Sequence, residues 1–311
     1  MAKVAILGAG MVGTATATYL AERNLADLVL IDVIDRGLAE GKAVDLAAAS
    51  AVRGFSVRIE GTDEVEAAAG ADVIVSTAGV PRKPGMDRMD LLRQNGEIAR
   101  RLGGAVARHA PGAVFINVAN PLDVLCHIFL DTMKFPRERV FGMAGVLDST
   151  RFRTFLAGAL DCDPRDVSAM VLGGHGDTMV PLVRTATVSG VPVTELLDSE
   201  TLAGIVERTR RAGAEVVRLL RTGSAFLSTG AAVAQMVEGV LAGRPRLLPV
   251  SARLEGEYGM RGFHLGVPAL IGPGGIRRIV EVELTEEERT ALAASAEEVR
   301  TGIREWEGAG A

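Results

Sequence analysis

The chain has 311 residues, is 48% apolar and 23% charged, and carries a formal net charge of −5. That length permits one large domain or two of ordinary size, and the apolar fraction suits a globular chain with a sizeable core. The acidic balance leaves no basic footprint for nucleic acid or an anionic membrane, so an anionic ligand has to be met by local arginines. No apolar run reaches bilayer length, and residues 3–8 lead into a glycine turn where a signal peptide would carry a cleavage site. Cys126 and Cys162 stand far apart, and no histidine, cysteine or carboxylate cluster has metal-ligand spacing. The expectation is a reducing, cytoplasmic compartment and no metal.

Residues 4–7, 28–32, 73–76 and 114–118 are short, nearly continuous apolar runs, the pattern of parallel strands covered on both faces; 57–59 is a weaker strand. Alanine-rich helical stretches at 11–23, 37–49 and 88–110 alternate with them. The order predicts an α/β fold whose N-terminal part is a Rossmann-type, doubly wound parallel sheet. Asn120-Pro121-Leu122-Asp123 ends one strand and opens another helix, with Pro121 suited to its first turn.

From residue 145 the pattern changes. A helix over 149–160 precedes a strand over 167–172, and helices over 199–220 and 229–239 follow. Three β-like runs, 247–253, 263–271 and 276–282, are separated by glycines and read as an antiparallel meander. The last helix opens with Thr285 and Glu288, a capping box, and carries Leu292, Ala296, Val299, Ile303 and Trp306 as one apolar stripe. The expected organisation is a dinucleotide-binding domain at 1–144 and an α+β substrate domain at 145–311, sharing a broad interface.

Gly8-Ala9-Gly10-Met11-Val12-Gly13 follows a strand and opens a helix. Gly8 permits the tight turn, Gly10 lets backbone approach a pyrophosphate, and Gly13 allows close packing of helix on strand. Asp32 ends the second strand where an acid should meet the ribose hydroxyls, and its charge favours NAD over NADP. The alternatives are a Rossmann unit with some other ligand or a chance cluster of glycines.

Gly174-His175-Gly176-Asp177 and Leu147-Asp148-Ser149-Thr150-Arg151 supply a histidine, a carboxylate and an arginine, the parts needed to take a proton from a hydroxyl and grip a carboxylate. With the dinucleotide signature they point to a 2-hydroxy-acid dehydrogenase. Spacing alone leaves a second reading open, in which Asp148 and Arg151 are a local helix ion pair and His175 a structural histidine. His109, His127 and His264 lack comparable surroundings and read as structural. Residues 79–88 hold Arg82 and Arg88 in a loop rich in glycine and proline after the strand at 73–76. Such a loop overhangs the ligand crevice or merely solvates its arginines; in the first case it could close over the substrate.

Taken in order, these motifs, with Gly41-Lys42-Ala43-Val44-Asp45-Leu46 and Val118-Ala119-Asn120-Pro121 between them, resemble the lactate/malate dehydrogenase family from Lys3 to Trp306. Within it, the likeness is to the NAD-dependent malate dehydrogenases of the lactate-dehydrogenase-like type. The resemblance implies roles. His175 would be the general acid/base and Asp148 its orienting carboxylate. Arg151 would clamp the C1 carboxylate of malate or oxaloacetate, Arg88 would polarise the C2 oxygen, and Asn120 would bond substrate and frame the cofactor. Gly8, Gly10, Met11, Val12, Gly13, Asp32, Asn95, Val118 and Asn120 would hold NAD. Arg82 stands where malate dehydrogenases of the family carry arginine and lactate dehydrogenases usually carry glutamine. Gly223-Ser224-Ala225 resembles a substrate-pocket wall, with a small residue leaving room. Family members are dimers or tetramers, so a homotetramer or homodimer is expected. The rival reading of the same mechanism is an L-lactate or broad 2-hydroxy-acid dehydrogenase; a rival of another class is a nucleotide-binding protein without the chemistry.

Overall fold

Apolar runs too short for helices and flanked by glycine become strands, and the alanine-rich stretches between them become helices that cover both faces. The structure, a computed structural model, describes residues 1–81 and 88–309. Its first half runs β1 (Ala2–Leu7), α1 (Met11–Glu22), β2 (Ala26–Ile31), α2 (Arg36–Arg53), β3 (Ile59–Thr62), β4 (Val73–Ser76), α3 (Arg88–His109), β5 (Val114–Asn117), α4 (Leu122–Met133) and β6 (Val140–Gly142). These strands are parallel in the order β3-β2-β1-β4-β5-β6. Winding reverses between β1 and β4, where Val4 aligns with Leu28 on one side and Val73 on the other. A crevice at the carboxyl ends of strands flanking such a reversal is where α/β sheets bind ligands.

The second half runs α5 (Gly145–Leu160), β7 (Val167–Ser168), β8 (Val171–Leu172), β9 (Val180–Pro181), β10 (Thr187–Val188), β11 (Val191–Pro192), α6 (Val193–Leu196), α7 (Ser199–Leu220), α8 (Leu227–Leu241), β12 (Arg246–Glu255), β13 (Arg261–Gly272), β14 (Gly275–Ile279) and α9 (Glu286–Ala309). The predicted meander is present as β12-β13-β14. It is not a separate sheet. Ser251 of β12 pairs antiparallel with Gly142 of β6, so among the described residues one nine-stranded sheet crosses both halves.

Several expectations shift. The strand predicted at 57–59 lies at Ile59–Thr62, and the single strand predicted at 167–172 breaks into β7 and β8, which join different sheets. The helix predicted from 149 begins at Gly145, which brings Asp148 into its first turn. Asp32 follows β2 directly instead of ending it. The capping box forms as read: Thr285 N–H donates to Glu288 Oε2 at 2.9 Å and Glu288 N–H to Thr285 Oγ1 at 3.2 Å. Leu292, Ala296, Val299 and Ile303 are buried beneath α9.

A continuous apolar core spans the sheet, from Val4 and Phe115 through Phe141 to Val250 and Leu265. A smaller cluster, including Phe152, Leu156, Val193 and Leu202, packs α5 against α7. α5 therefore has a rigid seat on both sides, which matters because it carries two of the candidate side chains. Among the described residues no helix is long and apolar enough to cross a membrane.

Candidate active site

The glycine turn sits between β1 and α1. Gly8 has φ +99°, and a Cβ there would stand 2.7 Å from Thr77 Oγ1; one at Gly13 would stand 2.0 Å from Gly8 O. Those two glycines let α1 close onto the strand ends. Gly10 differs: it caps α1 without a side-chain bond, is exposed, and has nothing within 4 Å of a would-be Cβ. The amides at the start of α1 thus look into open space, with Met11 exposed and Val12 half-buried beside them. Asp32 braces the turn, its Oδ2 accepting from Ala9 N–H at 3.0 Å and its Oδ1 from Ile34 and Asp35 N–H at 3.2 Å each. Free helix-end amides beside a fixed carboxylate suit a dinucleotide's pyrophosphate and ribose.

Asn95 is 2% exposed. Its Oδ1 accepts from Val80 N–H at 2.8 Å, and its Nδ2 donates to Val80 O at 3.2 Å and Asn120 O at 2.7 Å. These bonds are all to backbone, so Asn95 braces the walls of the crevice from behind. Val118 is buried and donates its N–H to Ser76 O at 2.8 Å, whereas Asn120 is exposed at the carboxyl end of β5.

His175 follows β8, and Val171 N–H of β8 donates to Ser149 Oγ of α5 at 2.9 Å. That contact draws the histidine loop onto α5. His175 Nδ1 lies 2.8 Å from Asp148 Oδ2, and Arg151 Nη1 lies 3.4 Å from Asp148 Oδ1. The side chains of His175, Arg151 and Asp148 are 14%, 12% and 2% exposed. The contact is more than a local helix pair: one carboxylate serves the arginine on its own helix and the histidine across the fold.

An ionised carboxylate only accepts, so Nδ1 carries the proton and Nε2 is the unprotonated nitrogen of the neutral ring. Nε2 has no hydrogen-bond partner among the described residues. Burial pushes the imidazolium down, but the charge and hydrogen bond of Asp148 outweigh it, and His175 is raised above its ordinary 6.5. Burial lowers Arg151, with Asp148 opposing. Among the described residues this buried guanidinium has one long contact, to an already shared carboxylate, and is short of negative charge. An anion belongs there.

Asp123 escaped the sequence reading as a functional residue. It sits on the first turn of α4, just after Asn120-Pro121, and is 5% exposed. Its Oδ2 accepts the His175 N–H at 3.0 Å and its Oδ1 accepts the Ser251 hydroxyl at 2.6 Å. The contact sets the His175 backbone beside the segment that leaves β5. The signal was available: a lone carboxylate within the apolar run Leu122-Asp123-Val124-Leu125-Cys126. Two further contacts hold the loop: Gly174 N–H donates to Ser295 Oγ at 2.8 Å, and Gly173 pairs with Gly266.

The other histidines lie elsewhere. His109 Nε2 is 3.3 Å from Glu66, and Arg253 donates to His127 at 3.3 Å. His264 is fully buried, donates to Val140 O at 3.2 Å and is pushed down to about 3 by burial. Ala225 is half-buried just before α8, and its carbonyl accepts from Thr229 Oγ1 at 2.9 Å. Arg82 and the side chain of Arg88 lie outside the described residues; the backbone of Arg88 opens α3.

Comparison with known proteins agrees along the length of the chain. The family model for the lactate/malate dehydrogenase NAD binding domain matches residues 2–142, and that for the lactate/malate dehydrogenase alpha/beta C-terminal domain matches 145–308. A malate dehydrogenase of Thermomicrobium roseum is 54% identical over 298 residues, 96% of each chain. The crystal structure of Cryptosporidium parvum malate dehydrogenase superposes with a TM-score of 0.96 at 36% identity, covering 99% of each chain. The lactate dehydrogenase of Cryptosporidium parvum, solved with lactic acid and β-nicotinamide adenine dinucleotide, gives a TM-score of 0.94 at 38% identity over 97% of each chain. The chain belongs to the lactate/malate dehydrogenase family.

Proposed function

We propose that the protein is an NAD-dependent L-malate dehydrogenase, interconverting malate and oxaloacetate. The observation that carries this reading is the buried, under-paired Arg151 beside a carboxylate-braced His175. The T. roseum relative, itself a malate dehydrogenase, supports the substrate.

NAD, when bound, supplies the acceptor for the C2 hydride. The chain supplies the rest. Amides at the start of α1, from Gly10 to Gly13, receive the pyrophosphate. Asp32 meets the ribose hydroxyls and repels a 2′-phosphate, which favours NAD over NADP. Arg151 pairs with the C1 carboxylate, and Asn120 bonds the substrate. Neutral His175 accepts the C2 hydroxyl proton at Nε2, and Asp148 stabilises the imidazolium that forms. In the reverse direction the protonated imidazole returns that proton, with Arg88 polarising the carbonyl oxygen. Arg82 holds the far carboxylate, which a monocarboxylate lacks; an unpaired guanidinium then penalises pyruvate.

The likeness to a lactate dehydrogenase favours one second reading, the same chemistry on lactate. Following NADH absorbance with oxaloacetate and with pyruvate separates the two: the proposal requires oxaloacetate to be the better substrate by orders of magnitude, and NADH to outperform NADPH. Segment 1–144 holds the cofactor and lends Arg82, Arg88 and Asn120 to the substrate, which segment 145–311 otherwise binds. Assembly as a homotetramer or homodimer belongs to the same proposal, checked by light scattering.

A further inference from the structure

His175 is held twice by carboxylates, once at its ring by Asp148 and once at its main chain by Asp123. Asp123 lies at the N-terminal end of α4, where the helix dipole favours an anion. Both its oxygens are engaged by donors from other elements, the Ser251 hydroxyl on β12 and the His175 amide. Two donors on its oxygens favour the ionised form of this buried carboxylate. Burial is the larger effect and raises Asp123 above the ordinary carboxylate range, helped by the Asp148 charge, while the Ser251 and His175 hydrogen bonds and the His175 charge oppose it.

Among the described residues the charged groups bearing on His175 are Asp148 and Arg151 from α5 and Asp123 from α4. β13 and α9 meet the loop through uncharged Gly266 and Ser295, and α9 also carries Glu298, which accepts from Thr178 further along. When His175 and Arg151 are both cationic, Asp148 alone leaves a positive excess. Asp123 cancels it.

We infer that Asp123 is a positioning residue for proton transfer, fixing the main chain at His175 and supplying the second negative charge that favours its imidazolium. This rests on His175 being the acid/base group. Asp123 also bonds the loop from the helix that begins directly after Asn120-Pro121, so the proton acceptor and the substrate-binding asparagine share one rigid support.

The test is the pH dependence of kcat/KM for malate oxidation in Asp123→Asn. Asparagine keeps an oxygen facing the His175 amide and removes the charge. The acid limb is expected to move to lower pH by roughly half a unit or more, the direction expected when a nearby carboxylate is neutralised, with malate KM and NADH affinity close to wild type. A purely structural role would lower kcat without moving the limb, and an unmoved limb overturns the inference. His175→Asn runs beside it. If that variant is inactive while Asp123→Asn shows the wild-type limb, this inference fails alone; if it retains turnover, the assignment of His175 fails as well. Should Asp123→Asn not fold, as judged by NADH binding, Ser251→Ala carries the test. It removes a donor that favours the ionised carboxylate, so Asp123 protonates more readily and the limb should again move to lower pH; an unmoved limb overturns the inference.

Discussion

Gly173 and Gly266 exchange both backbone hydrogen bonds, Gly173 N–H to Gly266 O at 2.9 Å and Gly266 N–H to Gly173 O at 3.2 Å. A Cβ on Gly266 would stand 2.1 Å from Gly173 O, so a side chain there and the His175 loop cannot occupy their present places together. Gly266→Ala should therefore shift the loop within an otherwise intact sheet. We expect kcat to fall by about ten- to a hundred-fold, the effect of an ångström-scale misplacement, and stability by about 1–3 kcal/mol from overpacking. Steady-state kinetics with thermal unfolding reads both, and a wild-type kcat would show that the loop tolerates displacement.

Asp148→Asn removes the charge that opposes burial at His175 and replaces an acceptor-only group with an amide that can donate as well, so the tautomer is no longer fixed. Activity should fall by a factor on the order of 10²–10⁴, the contribution typical of positioned acid–base catalysis. In wild type, His175 lies above its ordinary 6.5. Malate oxidation needs the neutral ring, so its kcat/KM should rise as pH climbs through that raised value, while oxaloacetate reduction falls. The same shift contributes stability that is fully present below the unfolded value and lost as pH rises through the folded one. Denaturant titrations from acid to alkaline pH, compared with His175→Gln, measure this, and a variant with the wild-type profile would remove His175 as the source.

Arg151 should separate function from stability. Replacing it with methionine deletes the proposed carboxylate clamp, and kcat/KM for oxaloacetate should drop by about a hundred-fold or more, equivalent to roughly 3 kcal/mol. The guanidinium is largely buried with one contact at 3.4 Å. In the absence of substrate, removing it should leave stability unchanged or raise it by about 1 kcal/mol. A large loss of stability would mean that the ion pair with Asp148 holds α5 in place.

Arg82→Gln should narrow the gap between oxaloacetate and pyruvate by at least about ten-fold, since it deletes the charge that a dicarboxylate alone can satisfy. Paired NADH assays measure the ratio. An unchanged preference would move the source of discrimination elsewhere, with the half-buried Ala225 as the next position to vary.

Local signals read well from sequence. The reciprocal cap at Thr285 and Glu288, the glycine turn at Gly8 and the apolar strands at Val73–Ser76 and Val114–Asn117 each depend on neighbours a few residues apart. What sequence hides is meeting at a distance. β6 is three residues long, too short for any periodicity, yet it joins the two halves of the sheet. The run 167–172 looks uniform, but the chain changes sheet within it. The helix geometry of Asp148 and Arg151 could be read, whereas the 2.8 Å contact to His175 arises only when α5 and the loop after β8 come together. Asn95 was assigned to the cofactor through resemblance; the structure adds that its amide is engaged by Val80 and Asn120.

The Ser251–Gly142 seam has a mechanical corollary. Because inter-strand bonds run across it, neither half owns a finished rim: a chain severed between residues 144 and 145 would bare β6 on one fragment and β12 on the other. Naked rims of this kind recruit strangers. Fragments made apart should clump, fragments made together should reunite, and the intact polypeptide should melt in a single step.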